Sequence, residues 1–178
     1  DGNSLGVMPK AAPARLQQVI VEEWGRGLIR SWNSACWIDL PRRVGEKIAR
    51  LVGAGLGELV VADSTSVNLF KVLSSAMEIV KADAPQRRVI VSEGDNFPTD
   101  LYIAQSLAQQ HSFELKLVSA PDIAAALRDR PALLLLTQVN YRTGALHDLA
   151  ALTSAAHDAD TLVVWDLAHS AGAVPVDL

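Results

Sequence analysis

Thr161-Leu162-Val163-Val164-Trp165-Asp166-Leu167-Ala168-His169-Ser170-Ala171-Gly172 decides how this chain is read. A short apolar run delivers a carboxylate to its C-terminal end, and a histidine follows three residues later. In open parallel α/β sheets, ligands bind outside the carboxyl ends of the strands. An aspartate there can hold a ring nitrogen in its protonated form, or it can simply cap the following turn.

Upstream, apolar runs at Glu58–Ala62, Arg88–Ser92, Glu114–Val118 and Ala132–Val139 have the length and near-continuous hydrophobicity of strands covered on both faces. Helical spacing lies between them: Leu69, Leu73, Ala76 and Val80; Leu101, Ala104, Leu107 and Ala108; Leu149, Leu152 and Ala156. This alternation predicts an α/β fold, a mainly parallel sheet with helices on both faces. The first part differs. Lys10–Trp24 and Val44–Val52 read as helices around a loop bearing Trp32 and Trp37, and Gly53-Ala54-Gly55-Leu56-Gly57 reads as a helix stop. It fails the dinucleotide fingerprint because Glu58 stands where the last glycine belongs. The expected organisation is an N-terminal helical and loop segment, 1–57, before an α/β body, 58–178.

Composition narrows the function classes. The 178 residues are 49% hydrophobic with a net charge of −4, which suits a packed globular interior. Acids and bases are interspersed, so no basic stripe points to nucleic acid. No apolar run is long enough for a membrane-spanning helix, and no signal peptide is evident. A single cysteine, Cys36, has no partner for an internal disulfide, which fits a reducing, cytoplasmic setting. No His/Cys/Asp/Glu spacing suggests a metal site.

Two further loops carry candidate chemistry. In Asp63-Ser64-Thr65-Ser66-Val67-Asn68-Leu69 hydroxyls cluster where a helix begins, and the free amides of such a terminus attract phosphate. Ordinary capping by Thr65 or Ser66 uses the same geometry. Glu93-Gly94-Asp95-Asn96-Phe97-Pro98-Thr99-Asp100 repeats the layout after the next strand, with Pro98 suited to the first helical turn and Asn96 or Phe97 near the cap. The Phe97 ring could lie on a flat heterocycle or staple the start of the helix. Hydroxyls and amides, an aromatic face and a carboxylate together suit the phosphate, ring face and ring nitrogen of one cofactor.

With these segments in view the chain resembles the kynureninases, pyridoxal-phosphate enzymes of the aminotransferase class V group. The matching stretches are Asp1–Gly6, Gly27–Asn33, Thr65–Leu69, Asn96–Asp100, Asn140-Tyr141-Arg142-Thr143-Gly144 and Trp165–Leu178. The resemblance implies the large domain of the aspartate-aminotransferase-like (fold type I) enzymes. It implies pyridoxal 5′-phosphate held by Thr65 and Ser66 at the phosphate and by Phe97 on the ring face. Pro98, Thr99, Asp100 and Thr137 would line the site, Asp166 would pair with the pyridine nitrogen, and His169 would orient Asp166. Ser4 and Trp32 match positions that receive the substrate. His111, His147 and His157 have no matched role and read as surface histidines.

The implied reaction is hydrolysis of L-kynurenine or 3-hydroxykynurenine to an anthranilate and L-alanine, in tryptophan catabolism and NAD biosynthesis, by a homodimer. The resemblance places the Schiff-base lysine, preceded by tyrosine, and the small domain beyond Leu178. The chain thus reads as a fragment, inactive alone, of an active parent. Two alternatives stay open: another class V enzyme such as a cysteine desulfurase, which would more often carry histidine at Phe97, and a non-catalytic remnant of the fold.

Overall fold

The computed structural model describes residues 6–178. The chain divides into two compact units, 1–62 with 174–178, and 63–173.

In the first unit, α1 (Ala12–Gln18) continues into a wider, π-type helix, Val19–Arg26. A four-residue helix α2 (Ser31–Ser34) precedes α3 (Leu40–Val52). Helix α3 stops at Gly53, whose φ of 74° is the left-handed conformation that favours glycine at a helix C-terminus. The apolar run Glu58–Ala62 does not form the expected strand. It lies along α3 instead. A Cβ on Gly45 would sit 2.2 Å from the Leu59 carbonyl oxygen, so the helix and the extended segment touch backbone to backbone. The Val61 N–H donates to the Pro41 carbonyl at 3.2 Å, and Val60 is 65% exposed. Strand-like residues here have no ladder partner among the described residues, and pairing rather than propensity makes a strand.

The second unit begins with α4 (Thr65–Asp83), followed by β1 (Val89–Glu93), α5 (Pro98–His111), β2 (Glu114–Val118), a short α6 (Ile123–Leu127), β3 (Leu133–Thr137), α7 (Leu149–Asp158) and β4 (Leu162–Asp166). All pairings are parallel, in the order β2-β1-β3-β4. The strand order reverses between β1 and β3, so the connections leaving these neighbours diverge and open a crevice at their carboxyl ends.

Alternation along the strands builds two cores. Ile90, Leu133, Leu135 and Val164 meet Leu69, Leu73, Met77 and Val80 of α4 and Ala104, Leu107 and Ala108 of α5. On the opposite face Val91, Leu134 and Leu136 meet Ile123, Ala126 and Leu127 of α6 and Ala156 of α7. Leu133 through Leu136 are fully buried because β3 is flanked by strands and covered on both faces.

Leu73 is fully buried, whereas its neighbour Val72 on α4 is 49% exposed. Leu73→Ala is expected to lower unfolding free energy by about 2–5 kcal/mol through lost transfer energy and a residual cavity. Val72→Ala should stay within about 0.5 kcal/mol. Urea unfolding of the two variants measures the contrast.

Candidate active site

The parallel register sets the floor of the site. Thr137 pairs with Asp166, and Leu135 with Val164 and Ser92. Residues two apart share a face, so Asp166, Thr137 and Ser92 all point to the side covered by α4 and α5. Helix α4 returns to the start of β1, so its N-terminus lies at the opposite, carboxyl edge of the sheet. Thr65 and Ser66 occupy that terminus, the first exposed and the second half-buried. Neither is the cap: Ser64 is, its hydroxyl accepting from the Val67 N–H at 3.4 Å.

Helix α5 starts as the sequence indicates, with Phe97 at the cap position and Pro98 in the first turn. A side chain the sequence marked only as close to the cap joins these parts. Asn96 is buried, and its Oδ1 accepts from the Phe97 N–H at 2.7 Å and from the Thr137 hydroxyl. Its Nδ2 donates to Ser92 Oγ at 3.1 Å, and Ser92 donates to the Leu135 carbonyl at 2.8 Å.

One turn into α5, Asp100 is 2% exposed and faces Asp166. Burial, then the charge and hydrogen bond of Asp166, push its carboxyl up from 3.8 to about 7. Asp100 Oδ2 is buried without a donor, as is His169 Nδ1 without a partner, among the described residues. Asp166 Oδ1 accepts from the Ala168 N–H at 2.7 Å.

Above this floor stand three rings. Phe97 meets Tyr141 edge-on, centroids 5.0 Å apart at 71°, and lies 5.8 Å from His169, which is 6.4 Å from Tyr141. Tyr141 was not singled out from sequence. It leaves the end of β3 just as Phe97 leaves the end of β1, and that shared position is the signal that finds it. Its loop is braced by Asn140, whose Oδ1 accepts from the Arg142 and Thr143 N–H groups at 2.9 and 3.1 Å and whose Nδ2 donates to Asp95 at 3.1 Å.

The structure therefore brings together Phe97, Thr137, Asp100, Asp166 and His169. Pro98 is exposed and Thr99 half-buried in the same first turn. Trp32 is 47% exposed on α2, in the other unit, and Ser4 lies outside the described residues. One reading is corrected. His147 is no surface histidine: its side chain is 15% exposed, its Nε2 is 2.8 Å from Glu93 Oε2, and its ring lies 6.5 Å from that of Trp165. This pair belongs to the α6/α7 side, since Glu93 is two residues beyond Val91. No His/Cys/Asp/Glu cluster among the described residues could hold a metal ion.

A cavity of about 580 Å³ lies at the other edge of the sheet, lined by residues that include Arg87, Arg88, Lys116 and Arg130. These cations are already engaged, Arg87 and Arg130 with Asp160, Lys116 with Asp129, and Arg88 with the Pro85 carbonyl. Three of these cations are thus paired with carboxylates, and Arg88 is held by a backbone carbonyl.

Solved structures share this architecture. A NifS-like protein matches with a TM-score of 0.76 at 16% identity, covering 100% of this chain and 50% of its own. The apo cysteine desulfurase from Thermococcus onnurineus NA1 matches at 0.75 and 22% identity, covering 97% of this chain and 44% of its own. The fold is thus the aspartate-aminotransferase-like one, in part. The aminotransferase class-V model matches residues 36–178, and the chain belongs to that family. A kynureninase from Pseudomonas fluorescens is 58% identical over the whole chain, which spans 44% of that protein.

The raised Asp100 carboxyl predicts a pH dependence. Folded protein keeps the proton up to about pH 7 while unfolded chain releases it near 3.8, so stability falls as pH rises through that window. Asp100→Asn removes this contribution. Its unfolding free energy, relative to the unsubstituted protein without added cofactor, should rise between about pH 4.5 and about pH 7.5 in urea titrations. Parallel curves would show that Asp100 ionises normally.

Proposed function

We propose that the full-length protein is a kynureninase: a pyridoxal 5′-phosphate-dependent hydrolase that cleaves L-kynurenine or 3-hydroxykynurenine to an anthranilate and L-alanine. The observation that carries this reading is 58% identity to a kynureninase in a match that covers the entire chain. The desulfurase reading has support only from structures at 16–22% identity, which speak for the fold.

The residues present fit the cofactor. A buried carboxylate pair and an unpartnered imidazole nitrogen at a strand edge suit a heteroaromatic ring with polar atoms on its rim. Bound there, pyridoxal phosphate supplies an electron sink for a substrate carbanion. Asp166 would hold the proton on the ring nitrogen, and Phe97 would cover one ring face beside Pro98 and Thr99. Thr65 and Ser66 would bind phosphate with the free amides at the start of α4, where the helix dipole favours an anion. His169 would offer Nδ1 to a polar atom of the ring, with Thr137 and Asp100 below. Ser4 and Trp32 would receive the substrate.

In this reading residues 58–178 form the cofactor-binding α/β body, 1–57 the segment bearing the substrate-facing loop, and the protein acts as a cytoplasmic homodimer. No helix among the described residues is long and apolar enough to cross a membrane.

The test is the full-length protein with pyridoxal phosphate, followed by anthranilate fluorescence on adding kynurenine. Turnover of kynurenine without sulfur release from cysteine is expected, and the reverse result would make it a desulfurase. Asp166→Asn should cost about 10²-fold or more in kcat, the scale of one preorganised electrostatic contact, with the fold intact by circular dichroism. A fully active variant would remove Asp166 from the ring nitrogen.

A further inference from the structure

We propose that Asn96 decides which of the two facing carboxyls, Asp100 or Asp166, holds the proton between them, by turning the Thr137 hydroxyl away from Asp100. Asn96 is a positioning residue in this account; it acts through Thr137 and need touch neither cofactor nor substrate.

The argument follows the direction of each hydrogen bond. A backbone N–H can only donate, so the bond from Phe97 N, at 2.7 Å, identifies the accepting atom of Asn96 as Oδ1. The amide is thereby oriented, and its Nδ2 faces Ser92 Oγ at 3.1 Å. Ser92 can accept there because its own proton goes to the Leu135 carbonyl at 2.8 Å. Thr137 Oγ1 bonds to Asn96 Oδ1, an atom that only accepts, so Thr137 must donate. A threonine hydroxyl carries one proton, and it is now committed.

Asp100 feels the consequence. Thr137 lies close enough to hydrogen-bond it, and a hydroxyl donated to Asp100 would stabilise the anion. With that proton directed to Asn96, Asp100 Oδ2 is left buried and without a donor. A carboxylate in that position is costly, and a carboxylic acid is not, because it can give its proton to Asp166. Asp166 Oδ1, unlike Asp100 Oδ2, already accepts a hydrogen bond, from the Ala168 N–H at 2.7 Å. Among the described residues Asp166, at the end of β4, is the charged group that acts on Asp100; Thr137, from β3, is neutral. Burial and Asp166 raise the Asp100 carboxyl, and the nearby Thr137 hydroxyl acts in the opposite direction wherever its proton turns toward Asp100.

The location of the proton stands without any cofactor. Its use, leaving Asp166 as the anion for a ring nitrogen, rests on the pyridoxal-phosphate reading. The experiment therefore uses the full-length protein freed of cofactor, with 13C at the aspartate side-chain carboxyl carbon, and follows the Asp100 resonance against pH. Asp100→Asn assigns the signal. Asn96→Ala frees the Thr137 hydroxyl and should lower the Asp100 midpoint by about one pH unit or more, a tenfold change in proton affinity. Adding Thr137→Val to that variant should return the midpoint to its original value. Thr137→Val alone should leave it in place, and this variant keeps the test decisive if Asn96→Ala does not fold. A midpoint raised by Thr137→Val alone would mean that Thr137 donates to Asp100 and would overturn the proposal, as would an Asn96→Ala midpoint that does not move.

Discussion

The parallel ladder between β3 and β4 pairs Thr137 with Asp166, and this register governs the arrangement at the carboxyl edge. Side chains paired across a ladder leave the same face of the sheet. A slip of one residue would turn Asp166 toward α6 and α7 and bring Trp165 to the α4/α5 side. The register is enforced lower down, where Leu135 and Val164 enter one core and Leu134 and Leu136 the other. Hydrocarbon packing thus aims a carboxylate.

Onto that floor the crevice between β1 and β3 delivers groups from two diverging connections. Asn96 binds the Phe97 amide at the start of α5 and the Thr137 hydroxyl at the end of β3. Asn140 fixes its own loop and ties it to Asp95 across the crevice. The loops that carry Phe97 and Tyr141 are therefore held by amide side chains whose donors and acceptors point in set directions. Asp100 illustrates how competing effects resolve. The first turn of a helix favours an anion by about 0.3–1 kcal/mol. Burial and the facing charge of Asp166 act the other way and prevail, since the group ends at about 7 rather than below 3.8.

Much of this was legible in the sequence because it depends on local pattern. Four of five apolar runs became strands, and the helices between them formed where the spacing indicated. Phe97, Asp166 and His169 stood out from their place after apolar runs, whereas Thr137, inside the run read as 132–139, came only from the family resemblance. Glu58–Ala62 misled because strand propensity says nothing of partners, and its backbone rests on Gly45 of α3. His147 was misread because its partner Glu93 is 54 residues away. The hub role of Asn96 was hidden for the same reason: its bonds to Ser92 and Thr137 exist only once two strands lie side by side.

The total burial of Leu133–Leu136 carries a liability during biogenesis. One ladder partner, β4, begins only at Leu162, so the leucine run stays uncovered while the chain is still incomplete. Parallel, non-local pairing is slow to form, and short apolar β-formers of low charge are the segments that associate between molecules. Arg128, Asp129, Arg130 and Pro131 stand directly before the run. Charges and a proline in that position act as gatekeepers against intermolecular stacking. Neutralising them would be felt first in the yield of recovered protein, well before any change in the finished molecule.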